Sequence, residues 1–349
     1  MALIEAEGFD TRYDEAVTYA PRWGYVGAHV DLGGRRGGPC MGTFGWGVTN
    51  NYARYWLPSE LTTVIVSAAI LPLYHATALV RNFIGCYYDN TDIQCMLRYD
   101  SHGRIYAEHT MGGAEIGESA DGALTLGIWN YVEMKFTIGS SGSIVVKVDG
   151  DVVLNLTGVN TQAYGSGGTD YIRFGTSWEG NSWDTCLWDD MVIMDTTGST
   201  FKDFLGDVKV EGFAPTADGY YTDFTPLSAG SHYVEIYDQR GPLGVTTTYN
   251  TASVVEDKDS FTFTISGDLP TILAVAVRGA INNPDTGIAS VRPFFRIDGV
   301  DYDADDLWDL GNSVLEQNAW FEENPATSSA WTKTVLESAE FGYAFEAAS

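Results

Sequence analysis

Tyr131-Val132-Glu133-Met134-Lys135-Phe136-Thr137-Ile138 is followed by Gly139-Ser140-Ser141-Gly142 and then by Ser143-Ile144-Val145-Val146-Lys147-Val148. In the first run Val132, Met134, Phe136 and Ile138 alternate with Glu133, Lys135 and Thr137. A period of two puts the apolar set on one face of a strand and the polar set on the other, so one face is expected to be buried and one wet. The Gly/Ser tetrapeptide is a turn. Asp149-Gly150-Asp151 makes a second turn, because Asp-Gly tolerates the two left-handed residues of a type I′ hairpin. Val152-Val153-Leu154-Asn155-Leu156 returns as a third strand. Three antiparallel strands thus follow one another with only tight turns between them.

The same texture extends outward in both directions. Strands are expected at 62–70, 78–88, 92–99, 105–109, 171–175 and 188–194. Glycine pairs such as Gly112-Gly113 punctuate them, and long helical periodicity is absent. Short strands at this spacing without helices between them give a β-sandwich. The polar stretch Asp195-Thr196-Thr197-Gly198-Ser199-Thr200 reads as the end of a domain. Strands resume at 206–211, 232–237, 246–249, 260–265, 271–280 and 290–298. The chain is therefore expected to be all-β, with an N-terminal sandwich over 1–198 and a smaller C-terminal β domain over 199–349.

The 349 residues suit two domains of ordinary size. With 44% apolar and 13% aromatic residues the chain can bury sizeable cores. It carries 19 basic and 47 acidic side chains, a net charge of −28. Such a surface repels phosphate backbones and anionic lipid, so neither nucleic acid nor membrane is expected as a partner. No apolar run approaches the roughly 20 residues of a membrane-spanning helix. The opening Met1-Ala2-Leu3-Ile4-Glu5-Ala6-Glu7 lacks the basic start and apolar stretch of a secretory signal. Cys40, Cys86, Cys95 and Cys186 are widely spaced with no C-x-x-C pair, which reads as buried thiols in a chain folded in a reducing cytoplasm.

Reactive constellations are hard to find. Glycoside hydrolysis needs two carboxylates flanking the bond. The nearest acidic runs, Glu5-Ala6-Glu7-Gly8-Phe9-Asp10 and Glu256-Asp257-Lys258-Asp259, do not have that spacing along a strand. There is no G-x-S-x-G elbow, and His29, His75, His102, His109 and His232 read as structural polar residues. Asp301-Tyr302-Asp303-Ala304-Asp305 opens like a calcium loop, but Asp306 stands where glycine is needed and Asn312 where a bidentate glutamate belongs. It reads as a solvated acidic loop, together with Asp298 and Asp309, with calcium held in another loop geometry as the alternative; Asp184, Asp189 and Asp190 could likewise hold calcium, and Asp189-Asp190 also reads as a plain solvated turn. No catalytic residue, no metal ligand and no cofactor is assigned. The one ligand-like grouping is Trp178, Asn181, Trp183 and Asp184, which combines flat apolar rings with hydrogen-bonding side chains, as a sugar requires.

Trp129-Asn130-Tyr131-Val132-Glu133-Met134-Lys135, followed by Ile144-Val145-Val146-Lys147-Val148-Asp149-Gly150, resembles the central hairpins of concanavalin A-like, laminin-G-like jelly rolls. Further along come Asp189-Asp190-Met191-Val192-Ile193-Met194-Asp195, Phe204-Leu205-Gly206-Asp207-Val208-Lys209-Val210 and Ala214-Pro215-Thr216-Ala217-Asp218-Gly219. That string resembles structural proteins of tailed bacteriophages, in which a jelly roll runs into L-G-D-[VI]-[RK]-V and P-x-A-D-G. Asp257-Lys258-Asp259-Ser260-Phe261, Val291-Arg292-Pro293, Ala330-Trp331-Thr332 and Ala339-Glu340-Phe341-Gly342 fit the same group, as do Glu5–Asp10 and Gly33-Gly34-Arg35-Arg36-Gly37-Gly38. The resemblance implies a non-enzymatic virion structural protein, assembled in the host cytoplasm. It would be peripheral in the tail or fibre apparatus, with capsid decoration as the alternative. Other virion proteins, further copies of itself and host-surface glycans are the implied partners. A carbohydrate-binding module or a glycanase is the alternative of another class.

Overall fold

The computed structural model describes residues 3–9, 23–26, 29–31, 33–43, 50–73, 81–89, 92–109, 113–165, 167–177, 186–198, 200–228, 230–237, 248–283, 289–311 and 315–347. They form two compact units, the first running to Gly212 and the second from Phe213.

The strands of the first unit are β1 Leu3–Glu7, β2 Trp23–Val26, β3 His29–Asp31, β4 Cys40–Gly42, β5 Asn50–Leu61, β6 Thr63–Pro72, β7 Arg81–Tyr88 and β8 Asp92–Tyr99. There follow β9 Ile105–Glu108, β10 Glu115–Glu118, β11 Asn130–Thr137, β12 Gly142–Val148, β13 Asp151–Val159, β14 Thr169–Ser177 and β15 Cys186–Met194. An eight-stranded sheet has the order β13-β12-β11-β6-β15-β4-β3, with β1 also on β15. A seven-stranded sheet has the order β10-β9-β8-β7-β14-β5-β2. Every neighbouring pair is antiparallel, and most neighbours are distant in sequence, as in a jelly-roll sandwich. The sheets meet at Trp188 of β15, which is fully buried. Its ring lies 5.3 Å from Phe174 and 6.5 Å from Phe83 of the opposite sheet.

The β11-β12-β13 meander forms as its alternation predicts, with Val132 opposite Val148 and Met134 opposite Val146. Its turn has Asp149 at φ 49° and Gly150 at φ 91°, the left-handed pair a type I′ turn demands. The face expected to be wet is not wet throughout, because Glu133 is 1% exposed. Residues 206–211, expected as a strand of the second domain, instead lie as a strap on the first unit. The Glu133 carboxylate accepts the backbone N–H groups of Leu205 at 2.8 Å and Gly206 at 2.9 Å. Lys147 sits over the Phe204 ring at 4.6 Å.

Asp189 and Asp190, expected in a solvated turn, lie instead at a bulge of β15 and are buried. Asp190 accepts the Val210 N–H at 2.8 Å, and Asp189 accepts that of Arg35 at 2.9 Å. Arg35 pairs with Asp207, and Arg36 with Asp190 at 3.1 Å. The glycine-rich arginine loop, the Asp-Asp strand and the Leu-Gly-Asp-Val-Lys-Val string thus make one fastening, in which backbone N–H groups and guanidiniums meet the two buried carboxylates of β15 and the exposed one of Asp207.

Burial raises the Asp190 carboxyl above its ordinary value, against the opposing pull of the Val210 N–H, Arg36 and Arg35. A folded-state value above the unfolded one means that ionisation costs stability. That cost is complete at neutral pH and is relieved as the pH falls through the folded value towards the unfolded one. Asp190→Asn cannot titrate, so wild type is expected to gain melting temperature relative to this variant between pH 7 and about pH 4. A constant difference across that range would contradict the assignment.

In the second unit β16 Pro215–Thr222, β17 Thr225–Pro226, helix α1 His232–Tyr237, β18 Asn250–Thr251, β19 Lys258–Phe263 and β20 Val275–Ile281 come first. Then come β21 Ala289–Ile297, β22 Val300–Asp303, β23 Trp308–Leu310, β24 Leu315–Phe321, helix α2 Lys333–Ser338 and β25 Glu340–Ala347. The main sheet has the order β16-β19-β25-β21-β22, with β23 on β21, and β17-β18 and β20-β24 are separate pairs. Phe295, Trp308, Phe321 and Trp331 centre its core.

Residues 232–237, expected as a strand, form α1. Its composition suits a strand, but side-chain acceptors bind it as a helix. Asp218 accepts the Tyr233 N–H at 2.6 Å, and buried Asp259 bonds His232 Nδ1 at 2.9 Å. Tertiary partners outweigh the weak local propensity. The expected strand at 246–249 is displaced to β18, and its residues 246 and 247 lie outside the described set.

Candidate functional site

Strand β5 reads Tyr52-Ala53-Arg54-Tyr55-Trp56-Leu57, and β14 reads Tyr171-Ile172-Arg173-Phe174. Alternation sends Ala53, Tyr55, Leu57, Ile172 and Phe174 into the sandwich core, where all are buried. The other face of the seven-stranded sheet receives Tyr52, Arg54, Trp56, Tyr171 and Arg173. The register sets Tyr171 opposite Trp56 and Arg173 opposite Arg54. On the other side of β14, Tyr87 stands opposite Tyr171, and Gly85 opposite Arg173. A Cβ on Gly85 would come within 2.8 Å of the Tyr87 ring, so the missing side chain lets that ring lie down.

The six side chains form a continuous row. Tyr87 and Tyr171 are stacked at 4.8 Å with 19° between their planes. Trp56 lies 4.6 Å from Tyr171. The Arg54 guanidinium is 4.9 Å from the Trp56 ring, and that of Arg173 is 3.4 Å from Tyr52 and 5.5 Å from Tyr87. Tyr87 and Tyr171 are buried and support the row, whereas Tyr52, Arg54, Trp56 and Arg173 are part-exposed. Burial pushes both phenols above their ordinary value, and at Tyr87 this outweighs the nearby Arg173. Both hydroxyls therefore stay protonated at neutral pH. Farther along the sheet, Glu108 of β9 is held by Arg98 at 2.8 Å.

Chemically, the row offers flat apolar rings framed by donors. Aromatic faces cover the C–H faces of a pyranose, while guanidinium and hydroxyl groups bond its oxygens. The residues singled out from sequence for this task, Trp178, Asn181, Trp183 and Asp184, lie outside the described residues. The row was missed because strand 50–61 was not recognised, although the alternation of Tyr52, Arg54 and Trp56 is a readable signal.

The other candidates resolve as structure. His232 bonds Asp259, His109 Nδ1 lies 3.1 Å from the Gln94 carbonyl, and His102 is exposed beside Asp100. His75 and the His29 side chain lie outside the described set. Asp301 is not simply solvated. Lys258 Nζ, Arg296 and the Tyr221 hydroxyl donate to it at 2.9, 2.7 and 2.9 Å. Asp189 and Asp190 belong to the fastening described above. Among the described residues no three His, Cys, Asp or Glu side chains gather as a metal site. All four cysteines are buried and unbridged.

No protein-family model matches the chain, and no curated protein matches it in sequence. Three solved structures that it resembles are an endo-β-1,4-glucuronan lyase, an alginate lyase and a cellulose-induced protein. The glucuronan lyase, from the fungus Trichoderma reesei, is 11% identical with a TM-score of 0.39, over 56% of this chain and 96% of that one. The alginate lyase Aly36B, in complex with alginate tetrasaccharide, is 11% identical with a TM-score of 0.38, over 55% and 96%. The cellulose-induced protein Cip1 is 14% identical with a TM-score of 0.38, over 54% and 96%. These likenesses are too distant to bear on ligand or reaction, and the sandwich stands on its own sheets and register.

Proposed function

We propose that the protein is a non-enzymatic structural component of a tailed-bacteriophage particle, in the tail or fibre apparatus, whose jelly roll holds a host-surface glycan. One observation carries the glycan part of this reading: the row Tyr52, Arg54, Trp56, Tyr171, Tyr87 and Arg173 across β5, β14 and β7. Binding is favoured over turnover because the row is made of aromatic rings and guanidiniums, and Glu108 farther along the sheet is tied to Arg98. The virion part rests on the sequence strings around Asp189-Asp190, Leu205-Gly206-Asp207 and Ala217-Asp218-Gly219. Strong acidity suits a part that assembles beside a genome it must not bind.

Trp56→Ala removes the largest part-exposed ring of the row. Aromatic anchors of this kind carry about 2 kcal/mol or more of binding, so glycan affinity is expected to fall more than tenfold. Calorimetric titration with the melting temperature as a control checks this, and unchanged affinity would remove the row from the binding account. Mass spectrometry of purified particles tests the location, and absence of the chain from them would end the virion reading.

A further inference from the structure

We infer that the glycan held on this face is acidic, with a sugar carboxylate seated between Arg54 and Arg173. The inference rests on the glycan reading above and adds the charge of the ligand.

The register places Arg173 directly opposite Arg54 on adjacent antiparallel strands. Side chains so placed start about 5 Å apart, and like charges in that position repel. Repulsion is normally relieved by a nearby carboxylate, and this chain has 47 acidic residues to 19 basic ones. Elsewhere in the same unit the relief is present. Arg35 pairs with Asp207, Arg36 with Asp190, Arg98 with Glu108, and Arg104 with Glu118 and Asp121. Among the described residues no carboxylate pairs with Arg54 or Arg173, whose guanidiniums rest on aromatic rings. The Nε atoms of both are buried without a hydrogen-bond partner. Two opposed cations with unused inner donors are an arrangement that a bound anion completes.

Geometry favours a carboxylate on a sugar. Arg173 is held against Tyr52 at 3.4 Å, which fixes the plane of its fork. Trp56, beside Arg54, provides the ring on which the sugar would rest while its carboxylate reaches both guanidiniums. The buried Tyr87 hydroxyl accepts from Arg173 Nη1 at 3.4 Å and steadies that guanidinium from below. The net charge of −28 does not prevent this. Beyond about 8 Å, exposed charges are screened at physiological ionic strength, so the local pair decides.

The test uses the full chain and matched probes: oligogalacturonate, oligoglucuronate and a sialylated oligosaccharide, each beside its neutral methyl ester, with a sulfated oligosaccharide as a further arm. Calorimetry is expected to give at least tenfold tighter binding of one or more carboxylated probes than of the matching ester. The winning probe should also outbind the sulfated one and raise the melting temperature, with no rise from its ester. Arg54→Gln and Arg173→Gln should each weaken the acid probe at least tenfold and its ester much less, so that the preference for acid over ester collapses. Trp56→Ala should weaken both forms together. Equal binding of acid and ester, an acid preference that survives both arginine substitutions, or a preference for the sulfated probe would overturn the carboxylate inference and leave the glycan reading standing. Failure of every probe, charged and neutral, would overturn that reading as well.

Discussion

Trp188→Ala is expected to destabilise the protein by about 3–5 kcal/mol, the range for truncating a buried tryptophan. The indole lies fully buried between the two sheets, against Phe83 and Phe174. Nothing on either sheet can collapse into the space, because strand backbones are fixed by their ladders and the neighbouring rings pack against other side chains. Phe83, for example, also contacts Tyr99 at 6.1 Å. A loss of that size is a large part of the roughly 5–15 kcal/mol that holds a typical domain. Urea unfolding of the full chain measures it from the midpoint, provided the slope is unchanged. A shift below about 1 kcal/mol would mean that the sheets do not meet at this residue.

Glu133→Ala has the second-largest expected effect, about 2–4 kcal/mol. It removes the one acceptor shared by the Leu205 and Gly206 amides. Each orphaned buried group costs about 1–3 kcal/mol unless the chain moves out to water. If it moves, the strap lifts and the amides at 205 and 206 exchange with solvent. Glu133→Gln keeps one carbonyl oxygen facing the same two donors and should cost less than half as much. Hydrogen exchange resolves the two outcomes at residue level. Protection at Leu205 and Gly206 that is the same in wild type and Glu133→Ala would contradict the fastening.

Much of the sandwich was legible because its strands alternate cleanly. Asp92–Tyr99 is found with the bounds expected for it, and the hairpin around Asp149-Gly150 has the turn its dipeptide demands. Glu133 shows where alternation stops being informative. The pattern correctly puts it on the face away from the core, but nothing local says that residues seventy positions on return to cover that face. For the same reason the expected boundary at 198 falls short of Gly212, since residues 206–211 alternate like a strand of the next domain but this segment is held on the first unit by side-chain acceptors. Helix α1 was misread because His232-Tyr233-Val234-Glu235-Ile236-Tyr237 has strand composition, and its helical state depends on Asp218 and Asp259. The binding row was half-legible. Arg54 sits between Tyr52 and Trp56 at every second position, but the pairing with Arg173 exists only once β5 and β14 are neighbours.

A crystal structure of the full chain with a bound carboxylated oligosaccharide tests the central claim most directly. The sugar ring should lie on Trp56, with its carboxylate bridging Arg54 and Arg173 and the glycosidic bonds intact. Sugar bound away from β5 and β14, or a cleaved product in the row, would contradict a face built to hold a glycan without reacting with it.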